Sequence, residues 1–533
     1  MSATFVAHLL KMGLWSRKSR FLRSLSAPFV QQTCLLKQIT KRLAQTEYGR
    51  LFKVLPEDDY LAFCKKVPVV TYDHIRHLVD RQKDFERPVL SADPILSFEC
   101  TPGYFGKSKF IPYTKELRDA FYNAYALTLA DLLSINVKLR SGRTFAARLH
   151  HFVENEYTRL PQLVGHDQDD DDLAGPMGRI LKRYMVAPST ISNLLEPEDF
   201  NHVVSLLLLA EPNLEIISVL NPSFLELLLD YMQNEADRLI PQLERGRITR
   251  EGVSFEFKPV DKERARMLAN PPYDWTHVWP NLKIISCWTS GYAALSVNAL
   301  KTAFPHAKIH SKGLFATEAP LTVHLHEASG YVPCIQDVFF EFIDDSGAIF
   351  TLETIAPDKE YDVIISQMSG LYRYRIGDRV RFTHTFKKVP CLEFTGRSDT
   401  VSDLAGEKLN EAFARKCVEE VLSDAHAFAM LLPHAVRGEM PFYYLLTNRD
   451  VPVSDSLSER LDEALSRAFH YRNARQNGRL DAIKIHSYRY ARELFIRYYD
   501  KKGLTIEELS TSILMKDVAQ AHEFLSLVQR QRT

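Results

Sequence analysis

The segment GLYRYRIGD at 370–378 brings aromatic, basic and acidic side chains together between two apolar runs. Its alternation predicts an extended chain that links two strands, with Tyr372 and Tyr374 on one face and the arginines on the other. Gly377 would let the backbone turn and leave Asp378 at a strand end. There the carboxylate could accept hydrogen bonds from two neighbouring ribose hydroxyls. A surface arginine–aspartate ion pair in a strand–turn–strand is the alternative interpretation.

A second segment, HSKGLFATEAP at 310–320, contains a hydroxyl directly beside a carboxylate. Thr317 and Glu318 offer oxygen ligands of the kind that Mg²⁺ takes together with phosphate oxygens. A single Thr–Glu pair is common in proteins, so this pair alone indicates little about function.

A third segment, CTPGYFGKSK at 100–109, has two glycines between two strand-like pieces. Gly103 and Gly106 would expose backbone amides that can bind phosphate oxygens, assisted by hydroxyls such as that of Thr101. Pro102 has no amide hydrogen to donate. Taken without context, the pattern therefore favours a β-hairpin over a phosphate loop.

Composition narrows the class of protein. A chain of 533 residues is too long for one hydrophobic core, so we expect at least two domains. Lys+Arg and Asp+Glu both number 67, which argues against a general nucleic-acid binder. The seven cysteines form no CxxC pair, so we expect reduced thiols without a zinc or redox site. The aspartate-rich loop at 167–172 is typical of a solvated, mutually repelling segment.

Targeting features also narrow the expectations. We find no apolar run of about 18 residues, so no membrane-spanning segment is expected. The basic segment 15–50 could lie on a membrane surface, although packing as an ordinary helix with a solvated face is the commoner outcome. A signal peptide is not expected at the N-terminus. We therefore expect a cytoplasmic monomer.

Apolar periodicity predicts alternating strands and helices, which favours an α/β fold. The predicted strands are 67–72, 216–219, a segment within 279–288, 338–343, 361–367 and 443–447. The predicted helices are 115–134, a helix opened by a capping box at Ser223 and running to Ile240, a helix ending at Phe304, one with an apolar face from Leu409 to Leu422, and 457–471. The domain boundary is expected near Gly396.

Six segments, read in order, resemble one family. They are FECTPGYFGKSKFIPYT, ISVLNPSFLELLLD, WPNLKIISCW, KGLFATEAPLTV, GLYRYRIGDRV and TGRSDTVSDLAGEKLNE. The chain looks like a bacterial form of the Gretchen Hagen three family of acyl-acid amido synthetases, in the firefly-luciferase-like adenylate-forming superfamily. The resemblance implies a large N-terminal adenylate-forming domain at 1–395, with mixed sheets, and a small mobile α+β domain at 396–533.

The resemblance also implies a reaction and its residues. ATP would activate a carboxylic acid as an acyl adenylate with the help of Mg²⁺, and an amine or amino acid would displace AMP. The implied catalytic residues are Glu318, also the metal ligand, and Lys408. Phe315 or Tyr372 would lie near the adenine, and the hinge would be 396–399. The implied nucleotide-binding residues are Thr101, Gly103, Gly106, Phe315, Thr317, Tyr372, Asp378 and Arg397.

Two departures from the family pattern keep alternatives open. Pro102, Tyr104 and Phe105 replace hydroxyl residues in the loop, and Ser510 stands where a C-terminal lysine is expected. Each lost contact to a charged phosphate could cost about 1.5–3 kcal/mol. The alternative function is a non-catalytic nucleotide- or acyl-binding protein of the same fold. An adenylate former that passes its acyl group to a thiol is a third possibility.

Overall fold

The computed structural model describes residues 3–83, 87–101, 109–135, 138–146, 182–188, 190–191, 194, 196–290, 293–397, 401–405, 407, 409–422, 428–436, 439–448, 455–500 and 513–530. In chain order its helices are α1 Ala3–Ser24, α2 Pro28–Leu43, α3 Glu47–Leu51, α4 Tyr60–Lys66, α5 Tyr72–Gln82, α6 Lys115–Leu132, α7 Pro197–Leu209, α8 Pro222–Asn234, α9 Ala236–Arg245, α10 Lys262–Leu268, α11 Trp275–Val278, α12 Ala293–Ala303, α13 Glu411–Leu422, α14 Asp455–Leu465, α15 Phe469–Gln476, α16 Ala491–Asp500 and α17 Val518–Arg530.

The strands alternate with these helices. They are β1 Ile95–Thr101, β2 Lys109–Thr114, β3 Arg143–Ala146, β4 Leu214–Ser218, β5 Arg247–Arg250, β6 Val253–Glu256, β7 Ile284–Cys287, β8 Lys308–Ser311, β9 Phe315–Ala316, β10 Ala319–Pro320, β11 Thr322–Leu325, β12 Gly330–Pro333, β13 Phe339–Ile343, β14 Ile349–Thr351, β15 Glu360–Ser366, β16 Tyr374–Phe386, β17 Val389–Arg397, β18 Val401–Ser402, β19 Leu409–Asn410, β20 Ala429–His434, β21 Phe442–Thr447 and β22 Lys484–Ser487.

The larger unit of the protein, which precedes the end of β17, is built around two sheets. A parallel sheet has the order β3-β4-β7-β8. The central strands β4 and β7 are almost entirely buried because helices such as α7, α8 and α12 pack around them and share their core. An antiparallel sheet has the order β14-β13-β15-β16-β17 and shares a second core with the N-terminal helices α1–α5. The expected α/β architecture with mixed sheets is confirmed.

A smaller unit follows β17. Its sheet has the order β20-β21-β22, with an antiparallel and then a parallel pairing, and helices α13–α17 pack beside it. Arg492 of α16 pairs with Glu226 of α8 at 2.9 Å, and Lys416 of α13 pairs with Glu360 at 3.1 Å. These two ion pairs join the smaller unit to the larger one. None of the described helices is both long enough and apolar enough to cross a membrane.

Most of the predicted elements are present, with local corrections. Residues 67–72 form no strand, and only Val70 makes a bridge, to Tyr374. The N-cap of α8 is Asn221 and not Ser223, because the helix already begins at Pro222. The Asn221 side chain accepts the Ser223 N–H. The single helices predicted to Ile240 and over 457–471 are each divided in two.

The segment 370–378 is built differently from the prediction. β16 begins only at Tyr374, and the preceding Arg373 has a positive φ of 46°. Asp378 therefore lies inside a long strand, not at its end, and Gly377 makes a bulge instead of a turn. Asp362 pairs with Arg379 and Ile364 with Arg375, so one residue of β15 faces 376–378. The φ of 94° at Gly377 permits this bulge.

Candidate active site

Thr317 and Glu318 form the two-residue turn of the β9–β10 hairpin. Ala319 pairs with Ala316, and Pro320 with Phe315. The hairpin is fixed at its base by Gly313, where a Cβ would come within 1.7 Å of the Thr322 carbonyl oxygen. Only glycine permits this close approach, so Gly313 lets the chain before β9 pack directly against the start of β11.

The Glu318 side chain is buried but has few polar contacts. The Tyr374 hydroxyl donates to Glu318 Oε1 at 3.3 Å, and Gln367 Nε2 donates to the Glu318 carbonyl at 3.3 Å. Among the described residues, Tyr374 is the only hydrogen-bond donor to this carboxylate. A buried carboxylate so placed keeps lone pairs for a cation or another donor.

Asp378 and Arg397 are backbone partners on β16 and β17. Arg397 Nη1 lies 3.2 Å from Asp378 Oδ1, and Arg397 Nη2 donates to the Ile376 carbonyl at 3.3 Å. The aspartate is buried, whereas 34% of the arginine side chain is exposed. The pair thus lies where the end of β17 opens to solvent.

Tyr374 connects the Glu318 hairpin to this pair. Burial and the adjacent Glu318 carboxylate raise the pKa of Tyr374 well above its usual value, and the Arg397 guanidinium partly opposes the shift. Tyr72 makes a smaller contribution that also raises the pKa of Tyr374. The Tyr72 hydroxyl accepts the Phe110 N–H at 2.7 Å. The Tyr374 hydroxyl therefore contacts Glu318, and Arg397 and Tyr72 lie near enough to this phenol to affect its pKa.

The two candidates for the adenine position lie in different surroundings. The half-buried Phe315 ring stacks on Tyr125 with centroids 5.2 Å apart. Tyr372 is fully buried, stacks on Tyr48 at 6.2 Å and donates its hydroxyl to the Leu90 carbonyl at 3.0 Å. The contacts of Tyr372 are those of a core residue, so Phe315 is the more accessible of the two.

Several of the predicted site residues lie outside the residues that the structure describes. They are Gly103, Gly106, Lys408, residues 398–399 of the predicted hinge, the side chain of Thr101, the substituted Pro102, Tyr104, Phe105 and Ser510, and the aspartates of 167–172. The backbone of Thr101 ends β1 opposite Lys109, so the predicted phosphate loop connects β1 to β2. Glu407 precedes Lys408 in the sequence. Its buried carboxylate accepts the N–H groups of Leu404 and Ala405 at 2.7 Å each.

Sequence reasoning missed Tyr374 and Gln367 as partners of Glu318. Tyr374 lies within the segment 370–378, but the alternation of that segment predicts only which face of a strand the residue occupies. Its contact partner is 56 positions away, so no local spacing could identify the pair.

Family comparison is decisive for identity. A model described as the GH3 family N-terminal domain matches residues 17–309, and one described as the GH3 family central domain matches residues 331–397. The chain belongs to the GH3 family. The GH3 matches include Asp378 and Arg397, and residues 310–330, which carry Glu318, lie between them.

Relatives and folds agree with the GH3 assignment. A probable indole-3-acetic acid-amido synthetase of Arabidopsis thaliana is 26% identical over 495 residues, covering 84% of this chain and 81% of the relative. The solved GH3.15 acyl acid amido synthetase superposes with a TM-score of 0.79 at 20% identity, covering 96% of this chain and 95% of that one. A 2-hydroxyisobutyryl-CoA ligase in the postadenylation state gives a TM-score of 0.53 at 12% identity, covering 95% and 92%.

The predicted family and adenylate-forming fold are confirmed, and so is the expectation of a ligase of the acyl-acid amido synthetase class. The bacterial type, the domain boundary at 395/396 and the role of each residue stay predictions.

Proposed function

We propose that this chain is an ATP-dependent acyl-acid amido synthetase, which joins a carboxylic acid to an amine or amino acid. The observation that carries the proposal is the position of two buried carboxylates, Glu318 and Asp378, around Tyr374 and Arg397 in a chain of the GH3 family.

The reaction has two displacements. A carboxylate oxygen of the acid attacks the α-phosphorus of ATP, and the bond to pyrophosphate breaks. The amine nitrogen then attacks the acyl carbon, AMP leaves, and the proton of the amine passes to solvent. The carboxylate is already an anion, so the first displacement needs alignment and neutralisation of charge and no general base.

Asp378 would bind the ribose hydroxyls, and Phe315 would lie against the adenine. Arg397 holds the Asp378 carboxylate from β17 and is exposed enough to approach the phosphates. The Thr101–Gly106 loop and Lys408 would contribute further phosphate contacts. The hinge at 396–399 would let a small domain at 396–533 rotate relative to the domain at 1–395.

The residues present fit a magnesium ion. Glu318 is a buried carboxylate with one neutral donor at 3.3 Å among the described residues, and the Thr317 hydroxyl is adjacent in the turn. When bound, Mg²⁺ would neutralise charge on the phosphates. The role of the hairpin is to hold Glu318 towards that position, and the role of Tyr374 is to orient its carboxylate.

The test measures pyrophosphate release from ATP with a panel of carboxylic acids that includes indole-3-acetic acid, followed by a panel of amino acids. We expect acid-dependent release, and an amide formed in equal amount to AMP when an amino acid is present. Arg381→Gln is the control for substitutions at Asp378 and Glu318. The Arg381–Glu393 pair joins β16 and β17, as the Asp378–Arg397 pair does, but at an exposed position.

Three other outcomes would contradict the proposal. Calorimetric ATP binding without acid-dependent pyrophosphate release would indicate the non-catalytic binding protein. Transfer to coenzyme A or another thiol in preference to amines would indicate the third alternative. Retention of full activity by Asp378→Asn and Glu318→Gln would separate the activity from this site.

We also propose a cytoplasmic monomer. The six cysteines whose side chains the structure describes are free, namely Cys34, Cys64, Cys287, Cys334, Cys391 and Cys417, which suits a reducing compartment. Light scattering coupled to size exclusion tests the monomer, and a fluorescent fusion tests the compartment.

A further inference from the structure

A cluster of one carboxylate and two imidazoles lies outside the residues assigned above. Asp131 is at the end of α6, His310 is in β8 and His324 is in β11. Asp131 Oδ2 lies 3.3 Å from His310 Nε2 and 3.6 Å from His324 Nδ1. Asp131 and His310 are buried, and 18% of the His324 side chain is exposed. Three elements distant in sequence thus direct three potential metal ligands to one point.

The spacing of the cluster suits a small transition-metal ion. One ligand atom from each residue lies within 4.8 Å of the other two. Zinc bonds to nitrogen and oxygen of about 2.0–2.2 Å in a tetrahedron place neighbouring ligand atoms about 3.3–3.6 Å apart. The two distances to Asp131 fall in that interval, so binding requires little movement of the side chains.

The surrounding hydrogen bonds already orient two of the ligands. His310 Nδ1 lies 2.8 Å from Ser286 Oγ, which leaves Nε2 directed at the cluster. Asp131 Oδ1 accepts the His326 N–H at 2.8 Å, which leaves Oδ2 facing both imidazoles. Metal-binding histidines and carboxylates in proteins are usually held by outer contacts of this kind.

His324 supplies the observation that points to a ligand. Its Nδ1 atom is buried and has no hydrogen-bond partner among the described residues. The distance of 3.6 Å to Asp131 is too long for a hydrogen bond. A buried ring nitrogen is costly to leave unpaired, and a cation between the three side chains would satisfy it.

We propose that Asp131, His310 and His324 bind one divalent transition-metal ion, with Zn²⁺ the best fit and water in the fourth position. Two nitrogen ligands disfavour Mg²⁺, which prefers oxygen, so this site is separate from the proposed magnesium position. His310 and His324 flank 311–323, the segment that carries Phe315, Thr317 and Glu318. The ion would close the base of that segment against α6 and so hold the hairpin in place.

Without a metal, the hydrogen bond between His310 Nε2 and Asp131 Oδ2 at 3.3 Å and nearby cations would stabilise the same cluster. Lys18 Nζ lies 4.0 Å from Asp131 Oδ1 and 3.1 Å from Glu327 Oε1, and a protonated imidazole could supply a second positive charge. That arrangement would be a local ion network with no affinity for zinc. Direct binding measurements therefore separate the two explanations.

The test uses the full chain after dialysis against EDTA. We expect Zn²⁺ titration calorimetry to give one saturable site, Co²⁺ to give the strong visible absorption of tetrahedral coordination, and Zn²⁺ to raise the melting temperature by several degrees. A large excess of Mg²⁺ should displace neither ion. None of these measurements depends on catalytic activity.

Variants locate the site. His324→Gln removes the partly exposed ligand and should weaken Zn²⁺ binding by at least about tenfold. His326→Gln is the matched control, because His326 is exposed and contributes only its backbone N–H. The absence of saturable Zn²⁺ and Co²⁺ binding by the unmodified chain would overturn the proposal without any variant. Equal Zn²⁺ affinity in His324→Gln would also overturn it.

Discussion

Two arginine–carboxylate pairs involve the 370–378 segment and are built differently: Arg373 pairs with Glu341, and Asp378 pairs with Arg397. Arg373 binds both oxygens of Glu341, at 2.8 and 2.9 Å, and both side chains are at most 5% exposed. Arg397 Nη1 lies 3.2 Å from Asp378 Oδ1, and one-third of the arginine side chain is exposed. One pair is enclosed in protein, and the other opens to solvent.

The surroundings of the enclosed pair explain the difference. Arg373 Nη1 also donates to the carbonyls of Cys64 and Val67, at 3.0 and 2.9 Å. The same guanidinium therefore attaches the end of α4 to the antiparallel sheet and uses four of its five N–H groups in these contacts. Its positive φ turns the side chain into the core. The enclosed pair is therefore structural, whereas we propose that the pair open to solvent binds the nucleotide.

The largest effect is expected from breaking the enclosed pair. Arg373→Met leaves Glu341 buried without its charged partner, which should cost about 3–5 kcal/mol of unfolding free energy. Urea denaturation followed by circular dichroism measures this loss. Arg381→Gln, in the exposed pair on β16 and β17, should change stability by less than about 0.5 kcal/mol. Equal destabilisation by both variants would remove the distinction between the pairs.

The open pair should respond in binding and not in folding. Asp378→Asn replaces a charged acceptor for the ribose and should weaken ATP binding by about 1.5–3 kcal/mol, or about 10–150-fold. The melting temperature should stay close to that of the unmodified chain.

A nucleotide comparison sharpens this prediction. The unmodified enzyme should prefer ATP over its 2′-deoxy and 3′-deoxy forms, as measured by KM. Asp378→Asn should lose most of that preference, because the group that distinguishes them is absent. An undiminished preference would place the ribose contact elsewhere.

The contrast also explains what the sequence could predict. Helix α6 and strands β4 and β15 follow from local apolar periodicity, which neighbouring residues set by themselves. Asp378 and Glu318 stood out because their types suit nucleotide chemistry in recognisable segments. These features are encoded within short windows.

The partnerships could not be predicted in this way. The alternation of 370–378 placed Arg373 on a strand face, whereas a positive φ and a partner 32 positions away put it in the core. The bulge at Gly377 likewise depends on the register of β15, which the segment does not contain. Asp131 and His310 are 179 positions apart and meet only in the fold.

A third carboxylate tests what happens without an arginine. Among the described residues, no lysine or arginine pairs with Asp337; Asn123 Nδ2 donates to it at 3.4 Å. Burial, with a smaller contribution from Asp119, raises the pKa of Asp337 to about 7. The folded state then binds more protons than the unfolded state between about pH 4 and 7, so this residue's contribution to stability is present at low pH and lost as pH rises through 7.

Asp337→Asn should remove that loss, because the amide has the same shape and does not ionise. Its stability relative to the unmodified chain should improve by about 2–3 kcal/mol between pH 5 and pH 8. Urea midpoints at both pH values measure the change. Parallel pH profiles for the two proteins would show that Asp337 does not titrate in this range.

The smallest effect is expected at Tyr374, which lies on β16 with Asp378 and contacts Glu318 of the β9–β10 hairpin. Tyr374→Phe removes the 3.3 Å hydrogen bond to Glu318 while keeping the buried ring. A single hydrogen bond of this kind contributes about 0.5–1.5 kcal/mol, so kcat/KM for ATP should fall about 2–10-fold. Tyr372→Phe is the matched control, because it removes a buried hydroxyl two residues earlier in the chain that contacts only the Leu90 carbonyl among the described residues. If Tyr374 orients Glu318, the loss should disappear in a Glu318→Gln background, where the carboxylate it positions is already gone, whereas an equal loss in both backgrounds would assign Tyr374 to packing alone.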